Sequence, residues 1–465
     1  MVRENLDIKL LDHLIISEKG YFSFADKKTF MTMVLVYTHK ITSRLRYTFK
    51  HFFESVLGIP IDFTTKLEVF IAQSGPKMSY TRTPLGNEFF VSSNSLLFEQ
   101  GVKGFDIQVS KWDGIPCFYE CDQNSMIPFD VFASSFFLMS RYEEYLPHVK
   151  DELGRFTSDQ SLAVQYNFLE LPVIDLWAKR FFQIFEKKFP ELKSNKSSLN
   201  LLIPLIDVVS PFKYKHKSFL RILAQAFLNI SEFKFWIILE QIMVLLGFWK
   251  DPWNNFDDFH SFFKKTKLKP RFFFLFSKTT YYDQGISIYN RRFHSIIKSV
   301  ADYHKSSLLI STEARCKVRI FKTELERFEK IIHRNTKFLR FNSGLTSVFD
   351  SYRNVLVMEQ MEDYSLGYHD KIGYRASTAV PFKFYDLENE VETGLILYAV
   401  VAGEEALRKN DAHLAFHKLK QLKDEIPTPT GVHVFSVSNA IFSSNNKNKS
   451  WKQAYKNYIL SYDLH

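Results

Sequence analysis

The chain has little cysteine and no long uninterrupted apolar run, and each absence removes a class of protein. Three cysteines, Cys117, Cys121 and Cys316, make no disulfide framework in 465 residues, and free thiols suit a reducing compartment. The CFYEC spacing at 117–121 is wrong for a redox C-x-x-C pair, and no second pair completes a zinc site. The most apolar window, residues 235–248, is interrupted by Glu240 and Gln241. It falls short of the ~20 residues that span a bilayer, so a core or interfacial helix is expected there. Charges at Asp7, Lys9, Asp12 and Glu18 argue against a secretory leader, and the expected location is cytoplasmic. There is no G-x-S-x-G elbow, P-loop, G-x-G-x-x-G or internal repeat, and the one low-complexity tract, SSNNKNK at 443–449, reads as a flexible loop.

What is present is charge, aromatic mass and alternation. Lys and Arg number 61 against 51 Asp and Glu, a net charge of +10. The excess is scattered lysine without an aromatic-plus-basic motif, which reads as a solvated surface and argues against a nucleic-acid partner. With 46% hydrophobic residues, 48 Phe and 22 Tyr, the chain can bury aromatic-rich cores. Its length allows two domains, or a large barrel plus a smaller unit.

Residues 33–37 (MVLVY) form a strand signal. Residues 1–30 before it read as an extension, not necessarily structured, with Met31 or Met33 as an alternative start. Residues 43–57 place Leu45, Phe49, Phe52, Phe53 and Val56 at helical spacing and end at Gly58. Strands are expected at 66–72, 95–98 and 107–112, and helices from Pro128 to Leu146 and over 176–189. This gives a small mixed α/β N-terminal domain over 31–190, closed by the polar segment PELKSNKSS at 190–198. Beyond it, strands at 201–206, 271–276, 307–310, 338–341, 395–401 and 433–437 alternate with helices at 290–303, 321–334, 343–355 and 404–424. Such alternation predicts parallel strands covered by helices, most simply a distorted (β/α) barrel over 199–465.

Candidate site residues follow from chemistry and position. LIPLIDVV at 202–209 reads as a buried strand with Asp207 at its C-terminal end. His413 and His417 share a helical face at a spacing zinc uses, but no glutamate base lies between them and the helix reads as a lysine-rich surface. Glu143 and Glu144 adjoin Arg141; neighbours on a helix do not face each other, which favours salt bridges over a glycan-facing pair. Asp363, Arg375, Tyr385 and Asp386 either line the barrel mouth and hold a glycan or make loop-stabilising hydrogen bonds.

The 202–209 segment closely resembles the strand that opens the barrel of polysaccharide deacetylases, metal-dependent hydrolases related to chitooligosaccharide deacetylase. In that family the strand ends Asp-x-Asp, the first acting as base and the second holding the metal; here the two positions are Asp207 and Val209. From about residue 31 onward the chain resembles a two-domain group of bacterial polysaccharide-deacetylase-like proteins whose N-terminal domain has no known role. The matching stretches are VYTHKIT at 36–42, PFDVFASSFF at 128–137, SRYEEYL at 140–146, residues 151–161, EDYSLGY at 362–368, GYRASTA at 373–379 and PFKFYDL at 381–387.

The resemblance implies a glycoside hydrolase/deacetylase-type (β/α) barrel with its site at the C-terminal ends of the strands. A divalent metal such as zinc, on one Asp and two His, would polarise an acetamide carbonyl; a carboxylate would act as base and a histidine as acid. Position by position, the metal Asp falls on Val209, the two metal histidines on Ser311 and Lys337, and the acid histidine on Ser438. Valine cannot ligate a cation. Asp207 remains as a remnant base, with Arg340 and Asn439 as substrate-binding candidates, and Lys337 is expected roughly where the cation would sit. The implied protein carries no metal or other cofactor and acts in carbohydrate metabolism as a glycan-binding or scaffolding pseudoenzyme. The alternative is an active N-deacetylase acting on C–N amide bonds of N-acetylated polysaccharide through a relocated site around Asp207 and Lys337. A third reading is a structural, partner-binding protein that needs no open groove. Neither the glycan, the partner nor the oligomeric state is legible.

Overall fold

A computed structural model describes residues 14–17, 20–23, 33–104, 106–192, 201–342, 344–345, 347–428, 430–443 and 448–463. Strands β1 (Leu14–Ser17) and β2 (Gly20–Ser23) pair antiparallel within the segment read as an extension. The rest of residues 1–30, most of the boundary segment at 190–198 and the centre of the 443–449 loop lie outside the described residues.

The N-terminal domain is built on a parallel sheet of order β4-β3-β5-β6, formed by β3 (Val34–Tyr37), β4 (Ile61–Thr64), β5 (Lys77–Thr81) and β6 (Phe89–Ser92). An antiparallel hairpin, β7 (Ser110–Trp112) and β8 (Ile115–Cys117), follows. The helix expected over 43–57 starts at Ser43, where the Thr42 hydroxyl accepts from the Leu45 N–H at 3.1 Å. It runs on as a π-helix, Lys50–Leu57, and stops where Gly58 takes φ 74°, a left-handed conformation that glycine adopts without a Cβ clash.

Two expected strands are corrected. Residues 66–72 form the helix Leu67–Ala72, because the apolar run buries only Phe70 and leaves Leu67, Val69 and Ile71 in solvent. Lys77 Nζ caps it, donating to the carbonyls of Phe70 at 2.9 Å and Ile71 at 3.1 Å. Residues 95–98 hold the 3₁₀ turn Ser95–Leu97, started by the Asn94 side chain accepting from Leu96 N–H.

The C-terminal part is a closed barrel. Its strands are β9 (Leu201–Val208), β10 (Arg271–Phe274), β11 (Lys305–Ile310), β12 (Phe338–Phe341), β13 (Glu362–Leu366), β15 (Val391–Ala402) and β16 (Val432–Ser438). They pair in parallel in the order β13-β12-β11-β10-β9-β16-β15, and β13 pairs with β15 to close the ring. Strand β14 (Phe382–Asp386) lies antiparallel on β15 outside that ring. The interior is filled by apolar side chains, among them Ile203, Leu205, Phe273, Leu275, Leu309 and Tyr364. At the N-terminal rim the Arg271 guanidinium lies 4.4 Å from the Tyr364 ring centre and pairs with Glu362, so that end is plugged.

The two domains meet along a buried seam. Asp175 accepts from Thr378 Oγ1 at 2.6 Å and Ala379 N–H at 2.8 Å, and the Tyr374 N–H donates to Leu169 O at 2.8 Å. Gly373, at φ 144°, lies so close that a Cβ would meet Leu169 O at 2.5 Å.

Candidate functional site

Inward alternation along β9 turns Ile203, Leu205 and then Asp207 toward the barrel axis, with Asp207 at the C-terminal rim. Arg340 reaches it from β12: Nε lies 2.9 Å from Asp207 Oδ1 and donates to Oδ2 at 3.0 Å. The same guanidinium donates to Ser436 Oγ of β16 at 2.8 Å and to the carbonyl oxygen of Tyr364. Burial pushes the Asp207 carboxyl above its ordinary range; Arg340 and Ser436 pull it back, while the charge of Glu404 adds to the rise. Asp207 and Arg340 keep 20% and 12% of their side chains exposed, so the pair is sheltered but open.

These residues line a cavity of about 130 Å³ together with Asn342, Ser365, Tyr368, His369, Glu404 and Ser436. Drug-sized ligands usually sit in roughly 300–1,000 Å³. The cavity therefore takes one small polar group of a ligand whose remainder rests on the rim. His369 and Tyr368 form the wall toward the N-terminal domain, His369 Nε2 lying 3.1 Å from an Arg155 nitrogen. Burial first, and then the Arg155 charge, lower the His369 pKa, which favours the neutral imidazole. A larger cavity of about 600 Å³ lies at the edge of the seam between Leu169, Glu170, Ile372 and Lys418; Asp370, Lys409, Asn410 and Glu425 also line it, and Lys418 pairs with Glu170 at 2.5 Å.

The positions that the resemblance aligned with metal ligands do not assemble a cation site. Val209 packs against the apolar layer inside the barrel. Ser311 follows β11 at the right rim, but its hydroxyl donates to Glu324 at 2.8 Å while accepting from the Ala314 N–H. Lys337 directly precedes β12, so it stands at the opposite, N-terminal rim, exposed and 3.9 Å from Glu359. The expectation that Lys337 supplies the cation's charge beside Asp207 is thereby corrected: a parallel strand that begins at residue 338 carries residue 337 in at the far end. Ser438 ends β16 and its N–H donates to the Glu404 carboxylate. The residues around Asp207 do not fit a divalent metal, and among the described residues no group of three His, Cys, Asp or Glu could hold one.

The other candidates are dispersed. Asp363 is fully buried behind β13, accepting from Tyr352 Oη at 2.9 Å and from Ser365 N–H and Oγ; burial lifts its pKa to about 6. Arg375 lies in the seam, its Nε and Nη2 donating to Glu144 at 2.9 and 2.7 Å. Arg141 donates to Glu144 at 2.8 Å, to Glu143, and to Tyr368 Oη at 3.1 Å, so Arg141, Glu143 and Glu144 are in salt bridges. Tyr385 donates to Glu390 at 2.9 Å, and Glu390 pairs with the buried Arg44. Asp386 accepts from Arg353 Nε and Nη2 at 2.9 and 2.8 Å. Burial raises its pKa, but the bonds from Arg353 and Asn389 and the Arg353 charge together outweigh it and hold the carboxyl below its ordinary range. Asn439 donates to Ser210 O at 3.1 Å and Trp253 O at 3.2 Å, bracing the loop that follows β9. Of the named candidates, Asp207 and Arg340 come together at the mouth. Ser436, Glu404 and His369 also line it; the position of Ser436 and Glu404 at or just after the C-terminal ends of barrel strands was the signal that could have found them.

The sequence profile of a family of unknown function (DUF7033) matches residues 34–190. No curated protein matches the sequence. Solved structures with a similar arrangement include a Mycobacterium smegmatis protein described as a polysaccharide deacetylase, 12% identical over 58% of this chain and 86% of its own, with a TM-score of 0.34. The polysaccharide deacetylase Bc1974 from Bacillus cereus is 11% identical over 57% of this chain and 89% of its own, with a TM-score of 0.27. BA3943 from Bacillus anthracis, described as a CE4 family pseudoenzyme, is 7% identical over 56% and 63%, with a TM-score of 0.28. At this distance the likeness brings no activity to the present chain.

Proposed function

We propose that the chain is a polysaccharide-deacetylase-like protein that binds a glycan at the C-terminal mouth of its barrel without metal-dependent hydrolysis. The observation that carries this reading is the Asp207–Arg340–Ser436 cluster. A carboxylate that serves as base in a metal hydrolase must face a water activated by the cation. Here Asp207 faces a guanidinium, and Val209, Ser311 and Lys337 offer no ligand set around it. What the mouth does offer is a small cavity edged by carboxylate, guanidinium, amide, imidazole and hydroxyl groups, the donor and acceptor types that hydroxyl- and acetamido-bearing sugars engage. Hydrolysis shared between Asp207 and Lys337 lacks this support, since the two stand at opposite rims.

The test is titration of N-acetylglucosamine oligomers and their deacetylated counterparts into the full chain, in the presence of a chelator, by calorimetry and by acetate release. Binding that the chelator leaves unchanged, with no acetate released, is the expected result. Asp207→Asn should weaken that binding about tenfold, near 1.4 kcal/mol. Acetate release that the chelator abolishes, or no binding across both oligomer sets, would overturn the reading.

A further inference from the structure

Between β9 and β10 the chain leaves the barrel rim as a helical hairpin, Phe219–Ser231 packed on Phe235–Leu245. Its polarity is inside out. On the second helix the buried side chains are Glu240, Gln241 and Val244, while Trp236, Leu239 and Ile242 face solvent. On the first helix Asn229 is buried and Leu223, Phe227 and Ile230 are exposed. The turns continue the pattern: Phe233 is 79% and Phe248 71% exposed, close to Trp236 at 66%. A helix pair that simply covers a water-soluble core places these faces the other way round. A contiguous apolar surface of this kind marks an interaction site.

The orientation is built in by specific bonds. Glu240 accepts from Lys213 Nζ at 2.8 Å and Tyr214 Oη at 2.7 Å, and Gln241 Nε2 donates to Ile222 O at 3.1 Å. At the base, the Asp251 carboxylate accepts from the N–H groups of Lys213, Tyr214 and Lys215, and Asn439 clamps Ser210 and Trp253. Glu240 and Gln241 are thus engaged inward and the apolar residues are left out.

Charge identifies the occupant. From residue 213 to 250 the chain carries Lys213, Lys215, Lys217, Arg221, Lys234 and Lys250; Lys213 pairs with the buried Glu240 and Lys234 with Glu232, which leaves Lys215, Lys217, Arg221 and Lys250 in excess. A second copy docking on this face would bring like charges together. An anionic lipid surface would meet both the cations and the apolar side chains. Trp236 and Trp249, with ring centres 6.1 Å apart, are the residue type favoured at the headgroup level. Among the described residues no helix is long and apolar enough to cross a membrane, so the hairpin would lie in the surface plane.

We infer that the 219–249 hairpin docks this protein onto an anionic lipid surface, with its apolar side chains in the headgroup region and the basic residues in and beside it on the lipid phosphates. This follows from the hairpin alone and stands independently of glycan binding. The hairpin follows the C-terminal end of β9, the strand that carries Asp207.

The full chain would be floated with vesicles of phosphatidylcholine and with vesicles of phosphatidylcholine plus phosphatidylglycerol. Recovery with the anionic vesicles, about tenfold above the neutral ones and accompanied by a blue shift of tryptophan emission, is expected. Phe227→Ser with Phe248→Ser should cut recovery about tenfold. Lys234→Glu with Lys250→Glu should erase the preference for anionic lipid. Both variants alter exposed positions and should keep the parent circular dichroism and Tm. Failure to float with either vesicle, or flotation indifferent to both variants, overturns the inference. So does a dimer that forms without lipid and that Phe227→Ser with Phe248→Ser dissolves.

Discussion

The seam between the domains and the mouth of the barrel both hold charges away from bulk water, but they hold them differently. At the seam Arg141, Glu144 and Arg375 are almost wholly buried, and both Glu144 oxygens receive guanidinium N–H groups. Burial pushes the Glu144 pKa up, yet Arg375 and Arg141 outweigh it and hold the carboxyl below its ordinary range. At the mouth the Asp207–Arg340 pair stays partly open to water and borders a cavity. A closed charge network fixes one arrangement of two domains, whereas an open pair leaves polar atoms that a ligand can reach. The difference separates residues that hold the structure from residues able to bind something.

Removing one partner at the seam should have the largest effect. Glu144→Ala leaves the buried Arg375 guanidinium without a carboxylate, and Arg141 with Glu143 alone, and should cost about 3–5 kcal/mol in urea unfolding; a loss as small as that of a surface pair would put the seam on a par with the mouth. Gly373→Ala should cost about 1–3 kcal/mol, because the new methyl group has to displace Leu169. Asp207→Asn should cost only about 1–2 kcal/mol, since the amide still accepts one bond from Arg340 and water reaches the site. If it proved as costly as Glu144→Ala, the contrast would fail.

The seam also has a pH signature. Burial raises the Asp175 pKa to about 7, against the bonds from Thr378 and Ala379. A carboxyl whose folded pKa is raised favours the folded state below its unfolded value near 4, and that advantage is lost as the pH climbs toward 7. The stability gap between the parent and Asp175→Asn should therefore be wider at pH 5 than at pH 8. A gap that widens with rising pH would mean that the Asp175 carboxyl is held low instead of high.

The same contrast explains what the sequence revealed. Apolar strands such as 202–206 and 271–276 were legible because both of their faces are buried. Strand β13 was missed as a strand, because its core positions include Asp363 and Ser365, which satisfy each other inside the fold and read as a loop. The conspicuous stretches SRYEEYL and GYRASTA mark the seam: their charged residues pair across more than two hundred positions, a relation no local pattern shows. Asp207 was found because it ends a buried strand, and Arg340 because it lies in a recognisable segment. Lys337 was misplaced although the strand at 338–341 and its parallel direction were both legible: the resemblance set it beside Asp207, whereas a residue just before a parallel strand enters at the opposite rim. The apolar window at 235–248 was visible, but its outward face was not, since that depends on Glu240 and Gln241 finding partners inside.

The most direct measurement is zinc stoichiometry by elemental analysis, on untagged full chain purified without chelators, loaded with zinc and then dialysed. Less than about a tenth of an equivalent is expected, because Val209, Ser311 and Lys337 leave Asp207 without a ligand set. Retention near one equivalent, lost in Asp207→Asn, would contradict a metal-free mouth and return the site to hydrolysis.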